Sequence, residues 1–218
     1  MRQFLDFFHQ IGKLNEKPRR GWVLIGIKNP ASIADHSFRM AIMGWVLGKG
    51  RKLNTERVIK MALIHDICEL YSGDITPYDY KPLPKDKKEW PKIFDCWPRF
   101  SKSKKIKNFI KKHEKEKKGL IKITSGLSSE SRKEILQLWH EYEKGITKEA
   151  RFLRQVNRLE TLLQALEYSY KNKKRPFDSW WIGSEEMIDD PVLIKFMEEM
   201  AGKFYIKKKK RKKAVRKV

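Results

Sequence analysis

Cysteine is almost missing from this chain: among 218 residues there are only Cys68 and Cys96. Two such distant thiols can build neither a disulfide framework nor a cysteine-rich zinc ribbon, so a reducing, cytoplasmic home is expected. No stretch approaches the roughly 20 consecutive apolar residues of a membrane span. The opening Met1-Arg2-Gln3-Phe4-Leu5-Asp6 carries an acid and lacks a long apolar run and a small-residue cleavage site, so no secretory leader is expected. Strand-like alternation and internal repeats are missing as well. Acids are scarce beside cations, 27 Asp and Glu against 50 Lys and Arg, a formal net charge of +23.

That excess is local. Met200–Val218 holds ten cations and no acid, and Lys81–Lys118 holds fifteen cations against five acids, leaving only +3 elsewhere. Lys207 to Lys213 is an unbroken run of seven cations. Such a run reads either as a solvated, disordered tail or as a non-specific contact for nucleic acid or another anionic surface.

What is present is helical periodicity almost throughout, which predicts an all-α bundle. Phe4, Leu5, Phe8 and Ile11 recur at helical spacing over 2–13. Residues 16–33 read as a loop. Ser32 or Asp35 can cap a helix holding His36 and running toward Gly48. Thr55 is the expected cap of the next helix, Arg57 to Tyr71, which Ser72-Gly73 ends. A turn-rich loop covers 74–79, and 81–103 reads as a basic surface insertion. Helices are expected over Lys104–Ile123, from Ser128 or Ser129 onward, and from the Thr147 cap to Tyr168. Trp180-Trp181 reads as a loop and Pro191–Phe204 as a last helix.

Within this pattern three polar groups sit in apolar helical surroundings: His36, His65 and Asp66. Two imidazoles and a carboxylate brought together in a core would bind a divalent metal. Glu69 lies four residues after His65 and three after Asp66, on the same face of an uninterrupted helix, with Asp74 just beyond. Burying such groups without a partner is costly, and a cation removes that cost while creating a Lewis acid. Mixed nitrogen and oxygen ligands suit Mn, Co, Ni, Fe or Zn better than Mg. Singly, each signal is weak, because a buried histidine is more often a satisfied core residue. Their order along the chain is what carries weight.

Several segments together resemble the HD-domain phosphohydrolases, and within them the 5′-deoxynucleotidases of the "HD domain-containing protein 2" type. They are Pro18-Arg19-Arg20-Gly21-Trp22-Val23, Ser32-Ile33-Ala34-Asp35-His36-Ser37-Phe38-Arg39, Ala62-Leu63-Ile64-His65-Asp66-Ile67-Cys68-Glu69, Gly73-Asp74-Ile75-Thr76-Pro77, Leu138-Trp139-His140-Glu141 and Ala150-Arg151-Phe152-Leu153-Arg154-Gln155-Val156-Asn157. The resemblance covers roughly 2–170. It implies a single HD domain over 1–205, with the insertion at about 81–103 and a basic tail over 206–218.

By that resemblance, one divalent metal is held by His36, His65, Asp66 and a fourth residue at position 157. Glu69 would orient or deprotonate the attacking water, and Asp74 would protonate the leaving oxygen. Arg20, Trp22 and Arg39 would contact the substrate, with Trp22 beside the sugar where a 2′-hydroxyl clashes; Trp22 also fits an ordinary anchoring aromatic. The implied reaction removes the 5′-phosphate from 2′-deoxynucleoside 5′-monophosphates. Alternatives are a triphosphohydrolase acting on deoxynucleoside triphosphates, and a nucleic-acid-binding pseudoenzyme whose tail binds nucleic acid non-specifically and whose Trp90 and Trp97 stack on bases. Relatives imply a homodimer.

The chain departs from the family pattern twice. Ala31 stands where the family usually has Glu. Asn157 stands where the last metal-binding Asp is expected, keeping a carbonyl oxygen but losing a charge. Weaker metal retention follows, whether Asn157 is a natural variant, an engineered inactivation or a step toward a pseudoenzyme. The intact His36, His65, Asp66, Glu69 and Asp74 argue against long drift.

Overall fold

The computed structural model describes residues 1–172 and 178–204. Among them the regular structure is helical: α1 (Arg2–Gly12), α2 (Arg20–Leu24), α3 (Ile33–Gly48), α4 (Thr55–Ile64), α5 (Glu69–Ser72), α6 (Trp90–Phe94), α7 (Lys102–Ile123), α8 (Ser129–Lys144), α9 (Lys148–Lys171), α10 (Asp178–Glu185) and α11 (Pro191–Phe204). A single antiparallel bridge joins Pro18 to Ser32. This is the all-α bundle that the periodicity predicts. The cationic run from Lys207 onward lies outside the described residues.

Helix α9 is the axis, packing against α3, α4, α8, α10 and α11. Its Leu153, Leu159, Leu162 and Leu166 are buried with Met40, Val58 and Met61 of the facing helices. Each such side chain contributes about 1.5–3 kcal/mol by leaving water. Gly44 lets α3 and α4 close, since a Cβ there would lie 2.8 Å from the Val58 side chain. Gly119 does the same for α7, where a Cβ would meet the Cys68 carbonyl oxygen at 2.7 Å. That approach presses α7 against the turn carrying His65 and Asp66.

Local chemistry sets the helix ends. Ser32 and Asp35 form a reciprocal capping box at the start of α3. Ser128 and Thr147 accept from backbone amides at the starts of α8 and α9. Gly73 ends α5 with a φ of 74°, a conformation costly for a side-chain-bearing residue.

Five expectations change. Asn54, not Thr55, caps α4, because its side chain accepts from the Arg57 amide. The 16–33 loop contains α2, and Trp180-Trp181 lies within α10 rather than in a loop. The helix from Arg57 to Tyr71 is interrupted over 65–68: Ile67, Glu69, Leu70 and Tyr71 donate to carbonyls three residues back, tightening the chain. The basic segment 81–103 is anchored as well as exposed, since Phe94 is buried with Leu24 and Tyr78.

Candidate metal centre

The interruption after α4 shapes the site. His65 closes the last α-turn, and the tightened backbone brings Asp66 back beside it. His65 Nε2 lies 2.9 Å and His36 Nε2 4.0 Å from Asp66 Oδ2. One ligand atom from each of the three residues falls within 4.8 Å of the others, and all three residues are buried.

Both rings are fixed from behind. His65 Nδ1 donates to the Ala62 carbonyl at 2.8 Å. His36 Nδ1 is hydrogen-bonded to a Glu160 carboxylate oxygen. Arg39 holds the other Glu160 oxygen at 2.6 Å and reaches Glu167 at 2.7 Å and Gln164 at 2.9 Å. This leaves both Nε2 atoms buried and without a hydrogen-bond partner. The Nε2 of His65 is near Asp66 but outside hydrogen-bonding direction. Two bare imidazole nitrogens facing a carboxylate are a donor set that fits a divalent transition metal, and the carboxylate behind His36 is the usual outer support of such a ligand.

The electrostatics are uneven. Burial works against ionisation of Asp66, but His65, Arg19 and His36 outweigh it and hold its carboxyl well below the usual range. Burial, followed by the charges of Asp66 and Asp74, pushes Glu69 well above its ordinary value. Burial also opposes the charge of Glu160, yet His36 and Arg39 bring its pKa down to about 2.

Arg19, which the sequence offers only as a neighbour of Arg20, is the central cation. Its Nη1 lies 2.8 Å from Asp66 and 4.0 Å from Glu69, and its Nε lies 3.7 Å from Asp74. Arg20 turns away to pair with Asp79 at 2.9 Å, and only its backbone amide joins the site, donating to Asp74 at 2.8 Å. The sole signal for Arg19 was the doubled Arg19-Arg20, whose two side chains leave the start of α2 in different directions.

Beside the cluster lies a cavity of about 150 Å³. Arg19, Trp22, Asp74, Asn157, Arg158 and Trp180 are among its walls. Trp22 is buried and stacked on Trp180, with ring centroids 5.5 Å apart. Asn157 donates from Nδ2 to the Tyr142 hydroxyl at 2.6 Å, and the Tyr142 ring is 5.1 Å from that of His65. Arg39 is not among the lining residues; it reaches the site through Glu160 and His36. A larger groove, about 780 Å³, runs along α8. Neither cavity is lined by His36, His65 or Asp66 themselves, but the smaller one is joined to the cluster through Arg19, which lines it and contacts Asp66.

A family model described as HD domain matches residues 11–181. The chain belongs to the HD domain family. It is 31% identical to the human protein named 5′-deoxynucleotidase HDDC2, with 91% of this chain and 85% of that one aligned. A Dictyostelium discoideum protein of the same name is 34% identical over 94% of this chain and 92% of its own. Among solved structures, a conserved hypothetical protein from Pyrococcus furiosus superposes with a TM-score of 0.64 at 26% identity, covering 91% of this chain and 99% of that one. The HD-domain match spans the helices that carry His36 and position 157 and the turn that carries His65 and Asp66.

Proposed function

We propose that this HD-domain chain hydrolyses the 5′-phosphate of 2′-deoxynucleoside 5′-monophosphates with the help of one divalent metal. The observation that carries this reading is the pair of imidazole Nε2 atoms without hydrogen-bond partners beside Asp66, joined through Arg19 to a cavity that Arg19 and Trp22 line. The relatives named 5′-deoxynucleotidase support the substrate class.

His36, His65 and Asp66 would hold the metal, with the side-chain oxygen of Asn157 as a weaker fourth ligand. Bound there, a Mn, Co, Ni, Fe or Zn ion supplies Lewis acidity toward the phosphate and acidifies a water. Glu69 accepts the proton of the attacking water, a role that suits a carboxyl whose proton affinity is raised. Asp74, held by Arg19 and the Arg20 amide, lines the cavity as the donor to the leaving oxygen. Trp22 bounds the sugar, where a 2′-hydroxyl would be crowded. Arg20 reaches a phosphate only by leaving Asp79, whereas Arg39 acts behind His36.

The remaining parts of the reading rest on composition and surface. Among the described residues no helix is long and apolar enough to cross a membrane. A cytoplasmic home is supported by the two free cysteines. A homodimer is supported by Phe38, Ile42, Trp45 and Val46, which form an exposed apolar stripe on α3.

Phosphate release from dAMP, measured with Mn or Co and with excess chelator, tests the assignment. Activity is expected with metal and lost in Glu69→Ala. Equal turnover in chelator overturns it. With dATP, release of tripolyphosphate would point instead to the triphosphohydrolase.

A further inference from the structure

One cation of this cavity has no carboxylate in ion-pair reach; Glu186, itself paired with Arg99, acts on it only from further off. Arg158 of α9 lines the cavity between Asn157 and Thr161. Its guanidinium carbon sits 4.3 Å above the Trp97 ring. Its Nε and Nη2 are buried without any hydrogen-bond partner. Gly183 packs so closely that a Cβ there would lie 2.1 Å from Nη2. A guanidinium does not escape this burial by losing its proton. An unpaired buried charge is among the costliest groups a fold can carry.

The other cations are spent. Arg19, the second guanidinium on the cavity wall, faces Asp66, Glu69 and Asp74. Arg20 is committed to Asp79, and Arg39 to Glu160 and Glu167. Any anion entering the cavity therefore finds one guanidinium free of carboxylates among the described residues. A planar fork of N–H donors matches two oxygens of a phosphate. A base carbonyl, being neutral, would leave the buried charge uncompensated.

We propose that Arg158 is a substrate-positioning residue that recognises the phosphate dianion in this cavity. The inference rests on the phosphomonoesterase reading for its substrate, but not for its first test. Trp97, from the segment after α6, is the platform over which the guanidinium sits. The 81–103 segment thus acquires a role in the site: it carries the aromatic that orients the anion receptor.

The experiment titrates the Mn-loaded full chain with inorganic phosphate, and separately with 2′-deoxyadenosine, for the wild type, Arg158→Gln and Arg158→Lys. Arg158→Gln is expected to weaken phosphate binding at least about tenfold, the loss of one charge-assisted contact. Deoxyadenosine affinity should stay unchanged, and the ligand-free melting temperature should hold or rise. Arg158→Lys, which keeps the charge but not the fork, should fall between. In turnover, KM for dAMP should rise with the phosphate dissociation constant. Unchanged phosphate affinity in both variants overturns the proposal. So does selective loss of deoxyadenosine binding, which would make Arg158 a base reader, or a lowered melting temperature with both affinities reduced alike, which would make it structural. A wild type inert toward dAMP that still shows Arg158-dependent phosphate binding would remove the phosphomonoesterase reading and leave this one standing.

Discussion

Glu160 grips the Nδ1 side of His36 and thereby fixes which ring nitrogen faces Asp66. Arg39 fixes Glu160 in turn, so three helix-borne residues on α3 and α9 act as one support. Glu160→Gln keeps the shape and removes the charge. We expect metal affinity to fall about 10–100-fold, the usual cost of losing such outer support. Calorimetric titration with Mn checks this, and an unchanged affinity would mean that Glu160 only packs.

Asn157→Asp restores a carboxylate at the position where the family resemblance expects one. The contact to Tyr142 survives with its direction reversed, the hydroxyl now donating. Metal binding should tighten about tenfold or more, given the value of a full charge near a dication. Turnover of dAMP should rise with it. The metal-free protein should melt lower, because a further acid joins Asp66, Glu69 and Asp74 around the single counter-charge of Arg19. Unaltered Mn affinity would show that position 157 does not reach the metal.

Arg19 stands where the metal's charge would otherwise act, against the same carboxylates. Arg19→Met should destabilise the metal-free protein by about 3 kcal/mol, the low end for breaking a buried pair, since Arg19 keeps some exposure. Saturating Mn should recover part of that loss, and urea unfolding with and without Mn measures it. An identical loss in both conditions would show that Arg19 and the metal do not share partners.

The helical bundle was legible because its core follows helical periodicity and its ends carry strong caps. His36, His65 and Asp66 were legible for a different reason, as polar groups in apolar company. The continuous helix under His65, Asp66 and Glu69 was not, because a switch to tighter hydrogen bonds over 65–68 leaves no glycine or proline in the sequence. Trp180-Trp181 looked like a loop because the periodic pattern there is short. Arg158 gave no signal at all: its burial depends on Trp97 and Gly183, which are distant in sequence and meet it only in the fold. Arg19 shared its signal with Arg20, and only the three-dimensional positions of Asp66 and Asp79 separate them.

Glu116 of α7 is buried near Cys68, behind the turn that carries His65 and Asp66, and should make folding stability depend on pH. It is buried, pairs with Lys112, and burial pushes its pKa from 4.5 up to about 7, with Lys112 offsetting only part of the shift. Burial also opposes the charge of Lys112, but Glu116, Glu143, Glu69 and Asp66 outweigh it and keep the ammonium charged throughout this range. A carboxyl that binds its proton more tightly when folded has its penalty absent below the unfolded pKa. The penalty grows as pH rises through the interval and is complete above the folded pKa. Stability from this group should therefore decline between about pH 4.5 and 7 and then level off. Glu116→Gln cannot ionise, so the stability difference between variant and wild type should be flat below that window, rise in the variant's favour across it, and be flat beyond. Urea unfolding of both proteins at a series of pH values measures that difference directly. A constant difference across the window would mean that Glu116 enters the fold already ionised, with Lys112 as a full counter-charge.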